Sequence, residues 1–131
     1  MGANIASLLS SQGLDVIVLD IDGSAFSKLS PKYSGFTAVA DATDIDELIN
    51  AGIERADVVI SATDNDNKNL MIAQIASKIF NVPKVISQLF DSEKEIVCRG
   101  LNIQFVYTTK LSTIEFENLI SQNGELKEII Q

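Results

Sequence analysis

The sequence predicts an α/β domain of the doubly wound kind, a parallel sheet with helices on both faces. Three observations predict it. Short β-branched runs recur that are apolar almost throughout, as strands covered on both faces are. Between them, apolar residues fall at helical spacing. Gly, Asp and Pro mark the joints where helices stop and start. A repeated strand-helix-strand order with short links implies right-handed crossovers.

The chain opens on a helix marked by Ile5, Leu8 and Leu9 and followed by Gly13. Asp15–Asp20 is the first strand and 36–40 the second. The helix 46–51 carries Leu48 and Ile49, and Asp44 with Glu47 three residues on makes a capping box at its start. Gly52 stands where a left-handed glycine ends such a helix, as Gly13 does for the first. Val58–Ser61 is the next strand. The longest helix carries Leu70, Met71, Ile72, Ile75, Ala76 and Ile79, and Pro83 precedes a strand at 84–87. A helical stretch at 93–99 and a strand at Ile103–Tyr107 complete the alternation, with no internal repeat.

Composition narrows the function. At 131 residues, 46% of them hydrophobic, the chain buries about two-thirds of its unfolded surface, enough for an ordinary core. One cysteine excludes a disulfide framework and a four-cysteine zinc site, and the absence of histidine excludes imidazole-based hydrolase triads. Ten basic against eighteen acidic side chains give a net charge of −8, which disfavours nucleic acid and anionic membrane surfaces as partners. No apolar run reaches the roughly twenty residues of a membrane span. The chain reads as soluble and intracellular.

Candidate binding residues gather at strand ends. Asp20 closes the first strand eighteen positions after Gly2. A dinucleotide-binding unit needs a carboxylate about there to accept hydrogen bonds from the adenosine ribose. Asp20 with Asp22, and no arginine, favours NAD or an adenine nucleotide over NADP; both would also serve as turn residues. Asp41-Ala42-Thr43-Asp44 follows the second strand, so Asp41 could meet an adenine amino group while Asp44 caps the next helix. Ser61-Ala62-Thr63-Asp64-Asn65-Asp66 runs from the third strand into the long helix, where free N–H groups would favour a ribose or a pyrophosphate; Asp64 and Asp66 equally complement the helix dipole. Asp64-Asn65-Asp66 does not match a calcium-loop spacing, and no metal site is expected. Catalytic groups are missing: there is no His, no Lys expected near those strand ends, and no Ser or Cys with a base. Cys98 reads as a small core residue. Only Gly2 precedes the first helix, whereas a nucleotide-binding unit opens on a strand and a glycine-rich turn.

In order, these residues resemble the TrkA-N or RCK (regulator of K+ conductance) domain, the N-terminal domain of Trk/Ktr potassium-uptake regulatory subunits. Gly2–Leu9 is similar to the last glycine of the family's loop with its first helix, and Val16–Asp20 to the strand ending in the ribose-binding aspartate. Ala40–Asp44 resembles Gly-Asp-Ala-Thr-Asp, and Leu48 through Ala51-Gly52-Ile53 to Ala56-Asp57 resembles Leu-x-x-Ala-Gly-Ile-x-x-Ala-Asp. Thr63–Leu70, which includes Asn69, looks like Thr-x-x-Asp-x-x-Asn-Leu, and Gly100–Ile103 like the turn before the last strand.

The resemblance implies a Rossmann-like fold over residues 1–122, with 123–131 a tail or the start of a linker. It implies a cytoplasmic regulator, peripheral to the inner face of the cell membrane, that binds NAD(H) or ATP/ADP through Gly2, Asp20, Asp22, Asp41, Ala42, Thr43, Ala62, Thr63, Asp64 and Asn69. It implies homodimers, extending to rings, docked on a potassium transporter or channel and gating it. The segment 111–120 resembles the crossover helix used for dimerisation. Two departures stand out. The first strand and most of the glycine-rich loop are lacking, so the chain reads as the domain minus about ten residues at its front. The missing strand is central, flanked by those ending at Asp20 and Ser61, so two inner edges are expected to be unpaired. Gln88 stands where many members carry a basic residue. The competing readings are a fragment of an NAD-dependent oxidoreductase and an assembly scaffold that no longer binds nucleotide.

Overall fold

The computed structural model describes residues 2–31, 33–107 and 127–130. It is an α/β fold whose strands all run parallel in one sheet. In chain order the elements are α1 (Gly2–Ser11), β1 (Asp15–Asp20), β2 (Phe36–Val39), α2 (Ile45–Ala51), β3 (Val58–Ser61), α3 (Asp66–Gln74), β4 (Lys84–Leu89), β5 (Ile103–Tyr107) and β6 (Lys127–Ile130). Across the sheet they stand β2-β1-β6-β3-β4-β5.

Strand alternation explains the apolar runs. In β1, Val16 and Val18 join Ile5, Ala6 and Leu9 of α1 in one core, while Leu19 on the opposite face joins Leu48 of α2 and Ile72 and Ala76 beyond the sheet. β3 divides the same way, with Val58 and Ile60 toward α1 and Val59 toward α2 and α3. All four of its residues are buried, so a polar alternation would have left one helix layer without a partner. This is the doubly wound, Rossmann-like arrangement expected.

The predicted boundaries hold where capping chemistry sets them. Gly13 and Gly52 both take positive φ, 83° and 95°, a conformation a side chain resists. Asp44 caps α2 by accepting the N–H groups of Asp46 and Glu47. Glu47 does not complete the capping box; its Oε2 instead accepts the N–H of Asp41 at 2.5 Å. Two stretches differ from expectation. The long helix changes to a π-helical turn at Ile75–Ile79, where Phe80 N–H reaches back to Ile75 O. The stretch at 93–99 is a 3₁₀ segment, Ser92–Cys98, with Cys98 buried against Leu70 and Leu89.

The largest correction concerns the sheet's centre. The slot between β1 and β3 is where the missing strand was located, but it is filled: β6 pairs Ile129 with Ile17 on one side and Val59 on the other. Residues 127–130, read as tail or linker, are therefore a central strand, and the inner edges of β1 and β3 are paired. The reason is that a four-residue strand suffices when ladder bonds form on both sides. The segment 111–120 lies outside the described residues.

Candidate functional site

Parallel strands deliver their carboxyl ends to one edge, and there the β1, β2 and β3 exits enclose a cleft of about 580 Å³, within the range of small-molecule sites. Val18, Phe26, Leu29 and Ile72 supply its apolar wall. Polar groups come from three separate loops.

After β1, Asp20 Oδ1 accepts the N–H of Asp22 at 2.9 Å. Its Oδ2 meets no donor among the described residues. Asp22 accepts the N–H and hydroxyl of Ser24 at 2.9 and 2.7 Å and so caps the 3₁₀ segment Gly23–Lys28. The Ser24 hydroxyl bond, followed by its N–H bond, holds the Asp22 carboxyl below its ordinary range. After β2, Asp41 Oδ1 accepts the Thr43 hydroxyl at 2.5 Å and N–H at 2.9 Å. These bonds, with a smaller contribution from Lys68, lower the Asp41 carboxyl in the same way. After β3, the chain turns through Thr63, whose N–H and hydroxyl both reach Asn69 Oδ1 at 2.9 and 2.6 Å. Asn65 then caps α3 by accepting Lys68 N–H at 3.0 Å.

Eight of the ten residues singled out from the sequence line this one cleft: Asp20, Asp22, Asp41, Ala42, Thr43, Ala62, Thr63 and Asp64. Ala42 is buried in the α2 and α3 core, so it offers backbone rather than side chain. The other two lie elsewhere. Asn69 is fully buried behind Thr63 and spends its amide on Thr63 and the Gln88 carbonyl, so it holds the loop that lines the cleft. Gly2 begins α1. Because α1 packs against β1 and runs opposite to it, its N-terminus lies toward the same carboxyl edge, with no acidic residue in its first turn.

Sequence reasoning missed two cations. Lys28 and Lys68 line the cleft, contrary to the expectation of no lysine near the strand ends. Lys68 was legible as the residue three beyond the Asn65 cap; Lys28 sits in a 3₁₀ segment that carries no periodic signal.

The donor and acceptor set fits a nucleotide better than a metal. An open carboxylate oxygen at the end of β1 suits a pair of ribose hydroxyls, and a helix N-terminus suits phosphate. Among the described residues no group of three or more acidic, His or Cys side chains is placed to hold a metal ion. No helix among them is long and apolar enough to cross a membrane. The single cysteine has its thiol pushed up by burial, the opposite of an activated nucleophile.

Comparison with known proteins gives a consistent family. The family model of the TrkA-N domain matches residues 1–109. The chain is 31% identical over 110 residues to a Trk system potassium uptake protein TrkA of Streptomyces coelicolor, covering 84% of this chain and 49% of that protein. It is 27% identical over 123 residues to a TrkA homolog of Methanothermobacter thermautotrophicus, covering 93% and 56%. A glutathione-regulated potassium-efflux system protein KefC of Enterobacter sp. is 33% identical over 97 residues, covering 74% of this chain and 16% of that protein. The chain thus spans about half the length of the first two relatives.

Proposed function

The chain belongs to the TrkA-N domain family, and on that premise we propose that it is a cytoplasmic nucleotide-binding regulatory domain of a potassium transport system. The observation that carries the reading is the convergence of Asp20, Asp41 and Thr63, from three strand exits, on one cleft. In this reading Asp20 holds the ribose, Asp41 faces the adenine, and the Thr63 loop with the N-terminus of α1 receives the phosphates. NAD(H) and ATP/ADP share that adenosine diphosphate portion. When bound, the nucleotide supplies binding free energy that differs between two arrangements of the domain, and no reaction.

The domain works as a regulator and not as an enzyme. Relatives named for potassium uptake and for potassium efflux support a membrane potassium transporter or channel as the partner, contacted from its inner face. Dimers, and rings built from them, are the assembly we propose. Gating requires the nucleotide to bind one assembly state more tightly than another, since equal affinity shifts nothing.

Calorimetric titration with NAD+, NADH, ADP and ATP tests the reading. At least one should bind, and Asp20→Ala should weaken it by about tenfold or more, the loss of charge-assisted bonds to two hydroxyls. Absence of binding by all four overturns it.

A further inference from the structure

We infer that the outer edge of β2 is a contact between two copies of this chain, whose β2 strands pair antiparallel about a two-fold axis at Ala38. The inference goes beyond the nucleotide reading and does not depend on it. β2 ends the sheet, so nothing among the described residues pairs with its outer side. Phe36 is 71% exposed and Val39 65%. From Gly35 to Ala40 the sequence has neither a charge nor a proline, two of the devices that keep a free edge from pairing.

The backbone fixes the register. Ala40 N–H reaches Asp20 O at 3.0 Å. Backbone groups alternate sides along a strand, so Ala38 and Ala40 turn theirs toward β1 while Thr37 and Val39 turn theirs outward. An antiparallel partner centred on Ala38 sets Thr37 opposite Val39 of the other copy, and every outward N–H and C=O is then used, in about four hydrogen bonds. Centred on Thr37 instead, Val39 would need Gly35, which lies outside the strand.

The side chains suit the same register. Ala38 meets Ala38 at the axis, a non-hydrogen-bonded pair whose Cα atoms come within about 4.5 Å, where a small residue fits best. Phe36 lies over Ala40 of the other copy, large on small, on the face where Ala38 and Ala40 border the α2 core. Thr37 and Val39 make β-branched pairs on the opposite face.

Charge also favours a second copy at this edge. With a net charge of −8, two chains approach best where neither presents acid. At the other end of the sheet, Glu93 and Glu95 line a groove with Ile103 and Phe105 of β5, so two copies meeting there would bring like charges together. Antiparallel pairing of β2 instead sets the sequence flank before one strand, with Lys32, against the flank after the other, with Asp41 and Asp44. A two-fold contact uses each edge once and closes. It is separate from the segment 111–120.

The test is sedimentation of the full chain across the micromolar range, with amide exchange read by NMR, for the wild type, Thr37→Pro and Ala38→Cys. The wild type should dimerise, and exchange at Thr37 and Val39 should slow as concentration rises while Ala38 and Ala40, bonded to β1, stay unchanged. Thr37→Pro removes an outward donor from each copy and no bond to β1, so the fold should stand and association should weaken by about tenfold or more. Ala38→Cys should crosslink two copies on mild oxidation, since a Cα separation of about 4.5 Å is within reach of a disulfide; the buried Cys98 should give no crosslink in the wild type. A wild type that stays monomeric overturns the inference and leaves the edge to a strand of another protein. Association unchanged in Thr37→Pro, or exchange at Thr37 and Val39 that is fast at every concentration, overturns it and moves the contact elsewhere. If Thr37→Pro fails to fold, Ala38→Cys decides: a crosslink supports the inference, and its absence overturns it.

Discussion

Asn69 holds Thr63 on both sides of its backbone: Asn69 Oδ1 accepts the Thr63 N–H at 2.9 Å and its hydroxyl at 2.6 Å, while Asn69 Nδ2 donates to the Thr63 carbonyl at 3.0 Å. The same amide reaches the carbonyl of Gln88, and the Asn69 carbonyl accepts the hydroxyl of Ser61, which also meets Ser87. One buried side chain therefore fixes the exits of β3 and β4 relative to each other. Asn69→Leu keeps the volume and removes every one of the side-chain bonds. With several buried backbone groups left unpaired, we expect a loss of about 2–4 kcal/mol in urea unfolding, with weaker nucleotide binding because Thr63 is no longer held.

Asp66 plays a matching part at the next loop. It is buried, and its two oxygens accept the N–H groups of Phe90 and Asp91 at 2.8 and 2.9 Å, tying the start of α3 to the exit of β4. Asp66→Asn can offer only one acceptor and brings its NH₂ against the other N–H. The expected cost is about 1–3 kcal/mol in unfolding free energy, and amide hydrogen exchange at Phe90 and Asp91 should accelerate. Protection unchanged at both amides would contradict this account.

Acid titration should separate Asp41 from an ordinary surface carboxylate. Its folded-state pKa is lowered, mainly by the Thr43 hydroxyl and then the Thr43 N–H. A lowered folded value means its stabilising contribution is present above the unfolded value, and is lost as pH falls through the folded one. Thr43→Val deletes the hydroxyl and leaves the N–H bond, so the Asp41 carboxyl carbon should titrate closer to the usual range by NMR. The variant should then be less stable than the wild type at neutral pH, and the part of the acid decline that comes from Asp41 should be smaller.

At the alkaline end the responsive group is Tyr33. Its hydroxyl lies 3.1 Å from the Val16 carbonyl and 2.7 Å from that of Phe36, and burial pushes its pKa from 10.0 to about 12. The approach is close enough that a Cβ on Gly35 would fall 2.3 Å from the hydroxyl. A raised folded-state pKa means the contribution is complete below the unfolded value and disappears as pH rises from 10.0 toward about 12. Tyr33→Phe should lower stability at neutral pH by about 1 kcal/mol and remove that part of the alkaline decline. An unaltered alkaline transition in the variant would rule Tyr33 out as its source.

What the sequence made legible follows from which signals are local. β1 and β3 were readable because helices on both sheet faces require Val16 to Leu19 and Val58 to Ile60 to be apolar without interruption. The glycine stops at Gly13 and Gly52 were readable because positive φ selects one residue type. Asp20, Asp41 and Thr63 could be grouped because parallel strands bring their ends to one edge. Lys28 was hidden by the Ser-rich 3₁₀ segment, whose course depends on the Asp22 cap and on the packing of Phe26 and Leu29 against the α1 core. Asn69 entered the group for a different reason: a ligand contact and the residue that holds a contact in place leave the same mark in a motif, and Asn69 stands behind Thr63, bonded to it.

β6 was overlooked because Lys127-Glu128-Ile129-Ile130 is half charged and only four residues long, and its partners lie far from it in the chain. Its place in the sheet gives a sharp prediction. Ile129 is paired with Ile17 and Val59, so proline there would remove a donor from a strand bonded on both sides. Ile129→Pro should lower unfolding free energy by about 3 kcal/mol or more, speed amide exchange in both β1 and β3, and expose two strand edges that favour self-association. A residue in a peripheral tail would tolerate the same change within about 0.5 kcal/mol. The exchange pattern is the decisive readout, because β1 and β3 are not neighbours in the sheet and only a strand between them would couple the two.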